Sequence, residues 1–361
     1  MYTEKEIEAI AGEFRVDSPV RSVAPLGSGL INDTFKVTTA ENRHYALQRI
    51  NNAIFQDVEL LQHNIEAVTA HIRKKLTEKG EPDIDRKVLT FIPLKDSAKT
   101  YFIDPKGGYW RMSAFIEGSR NIDEVNEESS RLAGQAFGQF EAMLTDLPEK
   151  IGETIPDFHN MPLRLRQLRE AVAADPKGRA GEVRDLLDLT ETYAEKMCSA
   201  EKLHAEGKLP KRICHCDTKV GNVLFDAEGK VLCVIDLDTV MPSFVFSDFG
   251  DFMRTAANPV PEDSPEYEKI NLKMDIFKAF TEGYLSTAEF LTPLEKEMLP
   301  YAVELFAFMQ AVRFLCDYIN GDTYYKIQYP EHNLVRARNQ YALFQSALSK
   351  EKEMQSFIQS L

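Results

Sequence analysis

Three segments near the start of the chain, 20–26, 34–39 and 45–50, are rich in β-branched and aromatic residues. Turn-forming residues, Gly27-Ser28-Gly29 and Glu41-Asn42, separate them, so the pattern predicts an antiparallel meander. After them the period changes. Asp57 precedes Val58, Leu61, Ile65, Val68 and Ile72, whose spacings of three and four put one apolar stripe along a capped helix. Further strands are expected at 87–92, 100–103 and 109–115, after which Gly118 breaks the pattern. Beyond it the chain reads as mostly helical, with stretches at 121–147, 160–175 and 180–205. A hairpin of 222–225 and 231–235 crosses Asp226-Ala227-Glu228-Gly229. The span 301–318 is apolar on most sides and is expected to be a buried central helix.

This order predicts an α+β chain of two lobes. A small antiparallel-sheet lobe with one long helix occupies 1–116, and a larger, mostly helical lobe occupies 117–361. The length of 361 residues agrees, since single cores stop growing near ~250–300 residues. A net charge of −14 argues against a nucleic-acid partner, because such binding rests on Lys and Arg neutralising phosphates. The polar, acidic start and the lack of a long uninterrupted apolar run lead us to expect a cytoplasmic protein with no membrane partner. Five cysteines without a C-x-x-C pair read as packed free thiols.

The strongest chemical signal is His215-Cys216-Asp217-Thr218-Lys219-Val220-Gly221-Asn222, which satisfies the kinase catalytic-loop pattern H-x-D-x-x-x-x-N. The hairpin that follows delivers Asp236-Leu237-Asp238 where kinases carry a metal-binding Asp. Phosphoryl transfer asks the protein for positioning and charge neutralisation, and Mg²⁺ takes hard oxygen ligands. Asp217 is therefore expected to be the base for a substrate hydroxyl, Asn222, Asp236 and Asp238 the metal set, and Lys219 a point charge for the transferred phosphate. Gly27, Ser28 and Gly29 form a turn whose N–H groups can approach the phosphates of ATP. Backbone from about Ser113 to Glu117, including Phe115, is expected to read adenine. Gln48 stands where kinases carry the phosphate-pairing lysine. It is read as a neutral hydrogen-bonding group linked to Glu66, with Arg49 as an alternative cation facing the other side of the strand.

These residues resemble the aminoglycoside phosphotransferase and choline kinase superfamily, with its protein-kinase-like fold. More closely they are similar to the N-acetylhexosamine 1-kinases, over nearly the whole chain. The likeness includes Tyr45-Ala46-Leu47-Gln48-Arg49-Ile50-Asn51, Gly108-Tyr109-Trp110-Arg111, Phe115-Ile116-Glu117 and Ile235-Asp236-Leu237-Asp238-Thr239-Val240-Met241-Pro242. It ends in Arg313-Phe314-Leu315, Asp317-Tyr318, Gly321-Asp322 and Tyr329-Pro330-Glu331-His332. The resemblance implies Mg²⁺- and ATP-dependent phosphorylation of the anomeric hydroxyl of an N-acetylhexosamine; separately, we expect a monomer or weak homodimer. Asp217, Arg313, Tyr324 and Trp110 would lie around the sugar. The glutamine at 48 matches that family, whereas Leu30 departs from its Gly-His-Ile-Asn.

The residues leave alternatives open. Arg313 could instead form a structural ion pair with Asp317, four residues along a helix. The substrate could be a cationic aminoglycoside or choline, which would ask for an acid-lined site or an aromatic cage. A nucleotide-binding pseudokinase would require a lost base or metal ligand, and both are present.

Overall fold

The structure, a computed structural model, describes residues 2–27, 31–122 and 124–361. The chain divides into two compact units, one comprising 1–121, 146–156 and 224–241 and the other 122–145, 157–223 and 242–361.

The first unit is built on a five-stranded antiparallel sheet of order β1-β2-β3-β5-β4, with β1 Val20–Pro25, β2 Asp33–Thr39, β3 His44–Ile50, β4 Tyr101–Ile103 and β5 Tyr109–Ala114. The meander is as expected. In its register Gln48 lies opposite Thr34 on β2 and Arg111 on β5. The expected strand at 87–92 is instead a short helix, Ile84–Lys87, followed by extended chain. This chain touches the end of β5 through Ile92 N to Met112 O and Ala114 N to Thr90 O, both 2.8 Å, and Pro93, which has no N–H, follows at once. The helix Val58–Glu78 forms as its stripe predicts, with the Asp57 carboxylate accepting from Leu60 N and Val58, Leu61, Ile65, Val68 and Ile72 all buried.

A helix that the period analysis missed, Glu4–Ala11, opens the chain. The Thr3 and Glu6 side chains each accept from the other's backbone N–H, and Ile7, Ile10 and Ala11 pack into the core formed by Val23, Val37, Leu47 and Trp110. At two turns it is too short for a period to show.

The second unit is helical. Its first helix, Glu127–Leu144, starts six residues later than expected, at an Asn126 cap. The expected 180–205 stretch breaks at Cys198 into Arg184–Met197 and Ser199–Ala205. The helix Leu299–Asn320 is the buried centre, packed on Phe246–Ala256, Met161–Ala174 and His332–Ser349. By length and composition it could cross a membrane, but 83% of its most apolar window is buried.

Glu127–Leu144 packs closely against Met274–Leu285. A Cβ on Gly283 would lie 1.9 Å from the Arg131 carbonyl oxygen, and one on Gly134 2.2 Å from that of Phe280. The helix backbones are therefore nearly in contact. Gly283→Ala should force them apart and cost about 3 kcal/mol, as overpacking does at rigid backbone, lowering the midpoint of chemical denaturation. A midpoint equal to that of the unaltered protein would show that the crossing is looser.

Candidate active site

The short strand Arg212–Cys214 runs into the loop that carries Asp217. His215 is fully buried, with the rings of Phe137 and Phe140 edge-on at 5.4 and 5.9 Å. Cys216 adopts a left-handed backbone, φ 63°, which turns the chain back. Asp248, in the first turn of Phe246–Ala256 and without exposed surface, accepts from the N–H groups of His215 and Cys216 at 2.8 and 2.7 Å. The Thr218 hydroxyl donates to the Asp248 carbonyl oxygen at 2.6 Å. One buried carboxylate thus holds both peptide N–H groups immediately before Asp217.

Asp217 emerges half-buried. Lys219 Nζ lies 3.0 Å from its Oδ2, and Asn222 Nδ2 donates to its backbone oxygen at 2.8 Å. Burial opposes ionisation of Asp217, but the charge of Lys219, with lesser help from His215 and Asn222, outweighs it and holds the carboxyl below its usual value. A carboxylate ready to accept a proton results. Asn222 has its amide nitrogen turned to Asp217, which leaves its side-chain oxygen clear of hydrogen bonds from the described residues. That oxygen suits a hard cation.

In the first unit the strand Val231–Val234 leads to Asp236, an exposed residue with left-handed backbone, φ 63° and ψ 56°. Non-glycine residues take this conformation at some cost, and it falls at the exposed residue immediately before the buried Leu237 and Asp238. Asp238 differs in kind from Asp236. It is buried, with Arg111 Nη2 at 2.5 Å from one oxygen and Asn32 Nδ2 donating to the other at 2.6 Å. Arg111 Nε donates to Gln48 Oε1 at 3.0 Å, and Gln48 Nε2 to Thr34 Oγ1 at 3.3 Å.

The kinase-lysine position is therefore neutral, and a buried guanidinium stands beside it one strand over. Gln48 is not linked to Glu66, which accepts from Thr100, and Arg49 pairs with Asp33 at the surface. Sequence reasoning passed over Arg111. The available signal was a charged residue within an otherwise apolar strand, at the register position facing Gln48.

The other expected nucleotide residues also lie in the first unit. Gly27 has φ 71°, while Ser28 and Gly29 lie outside the described residues. Phe115 N donates to His44 O, Lys36 Nζ sits 4.6 Å from the Phe115 ring, and the exposed Glu117 carboxylate meets His44 Nδ1 at 2.6 Å. Trp110 requires a correction. It has no exposed surface, its ring packs on Tyr2 and Phe35, and its N–H donates to Asp104 at 2.6 Å, so it is a core residue that cannot touch a sugar.

Arg313 and Tyr324 each contact Tyr325, in a cluster of the second unit that sequence reasoning missed. Arg313 does not pair with Asp317. That carboxylate instead accepts from the backbone N–H of Thr323, Tyr324 and Tyr325 and from Asn333 Nδ2, each at 2.9 Å. Tyr324 is held there with 70% of its surface exposed, its ring 4.8 Å from that of Tyr325. Arg313 lies over the rings of Phe158 and Tyr325 and donates to Gln310 at 3.1 Å. Arg164 donates to the carbonyl oxygens of Asp157 and Phe158. No carboxylate among the described residues lies within ion-pair distance of Arg164 or Arg313. His159 bonds Ser247 Oγ at 2.9 Å and stacks on Phe158. Burial, and then the charges of Arg313, Arg164 and Arg254, keep it neutral, well below the usual histidine range. Arg254 pairs with Asp251, whose carboxyl is pushed up to about 6 by burial, against the opposing charge of Arg254 and with the Asp217 charge adding to it.

Residues 22–271 match the family model described as the phosphotransferase enzyme family, APH. The chain belongs to this family of phosphotransferases. Solved structures of similar fold include an aminoglycoside phosphotransferase from Alicyclobacillus acidocaldarius, with 13% identity, TM-score 0.61, and 98% of this chain and 96% of that one covered. A microcompartment-associated aminopropanol kinase has 16% identity and TM-score 0.57, with 97% and 98% covered. Amicoumacin kinase hAmiN, solved with AMP-PNP, Ca²⁺ and Ami, has 14% identity and TM-score 0.57, with 98% and 94% covered. These likenesses confirm the α+β, kinase-like fold.

Arg111→Met would leave the Asp238 carboxylate buried without its cation. We expect a loss of about 3–5 kcal/mol in stability, read by urea denaturation. A loss below ~1 kcal/mol would mean that water reaches Asp238 and the pair is not a buried one.

Proposed function

We propose that the protein is an N-acetylhexosamine 1-kinase that moves the γ-phosphate of ATP to the anomeric hydroxyl of N-acetylglucosamine or N-acetylgalactosamine. The observation that carries this reading is the pair of guanidiniums, Arg164 and Arg313, with no carboxylate ion-pair partner among the described residues, beside His159, which burial keeps neutral, and the exposed Tyr324 ring. Such a cluster repels a cationic aminoglycoside or choline. It offers N–H donors to an acetamide carbonyl or ring hydroxyls, and an aromatic face to the apolar side of a pyranose.

In the mechanism the sugar hydroxyl attacks the γ-phosphorus in line, forming the new O–P bond as the β–γ bridging bond breaks and ADP leaves. Asp217 orients that hydroxyl and accepts its proton, and Lys219 lies close enough to Asp217 to steady the charge on the phosphoryl oxygens. Asn222 and Asp236 would hold Mg²⁺, which supplies charge neutralisation of the phosphates when bound. Asp238, engaged by Arg111 and Asn32, positions the Asp236 turn.

The test is coupled ADP release with ATP and Mg²⁺ over N-acetylglucosamine, N-acetylgalactosamine, glucose, galactose, choline and kanamycin. Turnover confined to the N-acetylated sugars is expected, and turnover of choline or kanamycin alone would overturn the substrate assignment. Asp217→Asn should lower kcat by about 10²–10⁴ while sparing ATP affinity, the range for a lost general base. Near-normal kcat in that variant would remove Asp217 from the role. Arg313→Met should raise KM for the sugar by about 10- to 100-fold, the equivalent of one charge-assisted hydrogen bond, with KM for ATP unchanged. An unaltered sugar KM would place the acetamide elsewhere.

A further inference from the structure

Beneath the catalytic loop lies a second acid that the reaction as described does not use. Glu141, on Glu127–Leu144, has 2% of its surface exposed. It meets Asp248 from Phe246–Ala256, Cys214 from the preceding strand and Tyr284 from Met274–Leu285, all three without exposed surface. The ligand atoms of Glu141, Cys214 and Asp248 all lie within 4.8 Å of one another. Arg212, His215 and Cys216 also face the pair, with Asp251 beyond Cys216, and Arg212 is spent on Glu295 at 2.7 and 2.8 Å.

The hydrogen-bond inventory of this cluster is uneven. The Tyr284 hydroxyl donates to Glu141 Oε2, and the Cys214 thiol lies 3.3 Å from the Phe244 carbonyl oxygen. Asp248 accepts one backbone N–H on each oxygen. Glu141 Oε1, however, is buried and receives no N–H or O–H from any described residue. Two buried carboxylates this close, with no Lys or Arg among the described residues paired to either and only the weak Cys214 thiol near the open Glu141 oxygen, are best satisfied if one carries a proton. Burial raises the Asp248 carboxyl as well, but its two peptide N–H donors oppose that rise and favour the anion there. Glu141 is the one left to be the acid.

We propose that Glu141 is a positioning residue for phosphoryl transfer: held as the neutral acid, it donates its carboxyl proton to Asp248, and that bond fixes the two N–H groups that set the direction of Asp217. Burial first, and the Asp248 charge second, push the Glu141 carboxyl well above the usual carboxylate range, in keeping with this arrangement. A metal among Glu141, Cys214 and Asp248 would compete with the backbone bonds that already occupy both Asp248 oxygens. The proposal rests on Asp217 being the base, but its first test needs no sugar substrate.

The infrared difference spectrum of the unaltered protein against Glu141→Gln at neutral pH should contain the C=O band of a protonated carboxylic acid, lost in the variant. A carboxylate pair of bands in its place overturns the proposal, whatever the substrate proves to be. Glutamine reproduces the geometry, its oxygen accepting from Tyr284 and its nitrogen donating to Asp248. We therefore expect Glu141→Gln to keep kcat within twofold. Glu141→Leu, which removes the donor but fills the space, should lower kcat at least tenfold with KM for ATP changed less than twofold. Equal damage by Gln and Leu, or none by Leu, overturns the proposal. Should the Leu variant fail to fold, the band and the Gln variant's kcat still decide it.

Discussion

A carboxylate with no exposed surface has to be answered by the protein, and in this chain Asp248 is answered by the backbone of the loop 215–218. Its two accepted N–H bonds belong to His215 and Cys216, the peptides whose orientation sets where Asp217 points. Charge-assisted bonds of this kind contribute about 1.5–3 kcal/mol each, enough to offset the left-handed backbone at Cys216. The loop is therefore held from below by a rigid helix, so its one half-exposed acid can be placed without being fixed by its own contacts. Its contacts with Lys219 and Asn222 then tune its charge and leave its position to the anchor.

The first unit solves the same problem with a side-chain cation. Asp238 is buried against Arg111 and Asn32, which ties the Asp236 turn to the sheet, and Gln48 Oε1 accepts from the guanidinium's Nε. A lysine at 48 would bring a second positive charge against Arg111 in a place with little solvent. The neutral glutamine is what the neighbouring arginine permits, so the substitution is coupled across two strands.

Much of this was legible in the sequence. The meander, the stripe from Val58 to Ile72 and the H-x-D-x-x-x-x-N pattern from His215 to Asn222 each rest on local spacing, which the chain carries in plain view. The buried neighbours of the loop did not show, because Asp248 and Glu141 reach it from helices about 30 and 75 residues away in the chain, and an acid on an apolar helix face carries no local mark of what it meets. Trp110 was misplaced for a related reason: an aromatic in a strand reads alike whether it faces a core or a ligand, and only the Asp104 partner and the packing of Tyr2 decide it. His159 and Arg164 were missed because they acquire meaning from Arg313, which lies far along the chain.

The segment after Asn320 shows how such a site can change its tastes. Asp317 holds residues 323–325 almost wholly through peptide N–H groups, bonds that any residue except proline can supply. At Tyr324 the course of that loop is thus indifferent to the side chain, whose ring is exposed and, in the proposed reading, would meet the acceptor. Tyr324 is a removable fitting on a fixed bracket. A single codon there can trade an aromatic surface for a polar or small one without disturbing the frame, which separates the evolution of acceptor choice from the maintenance of the fold.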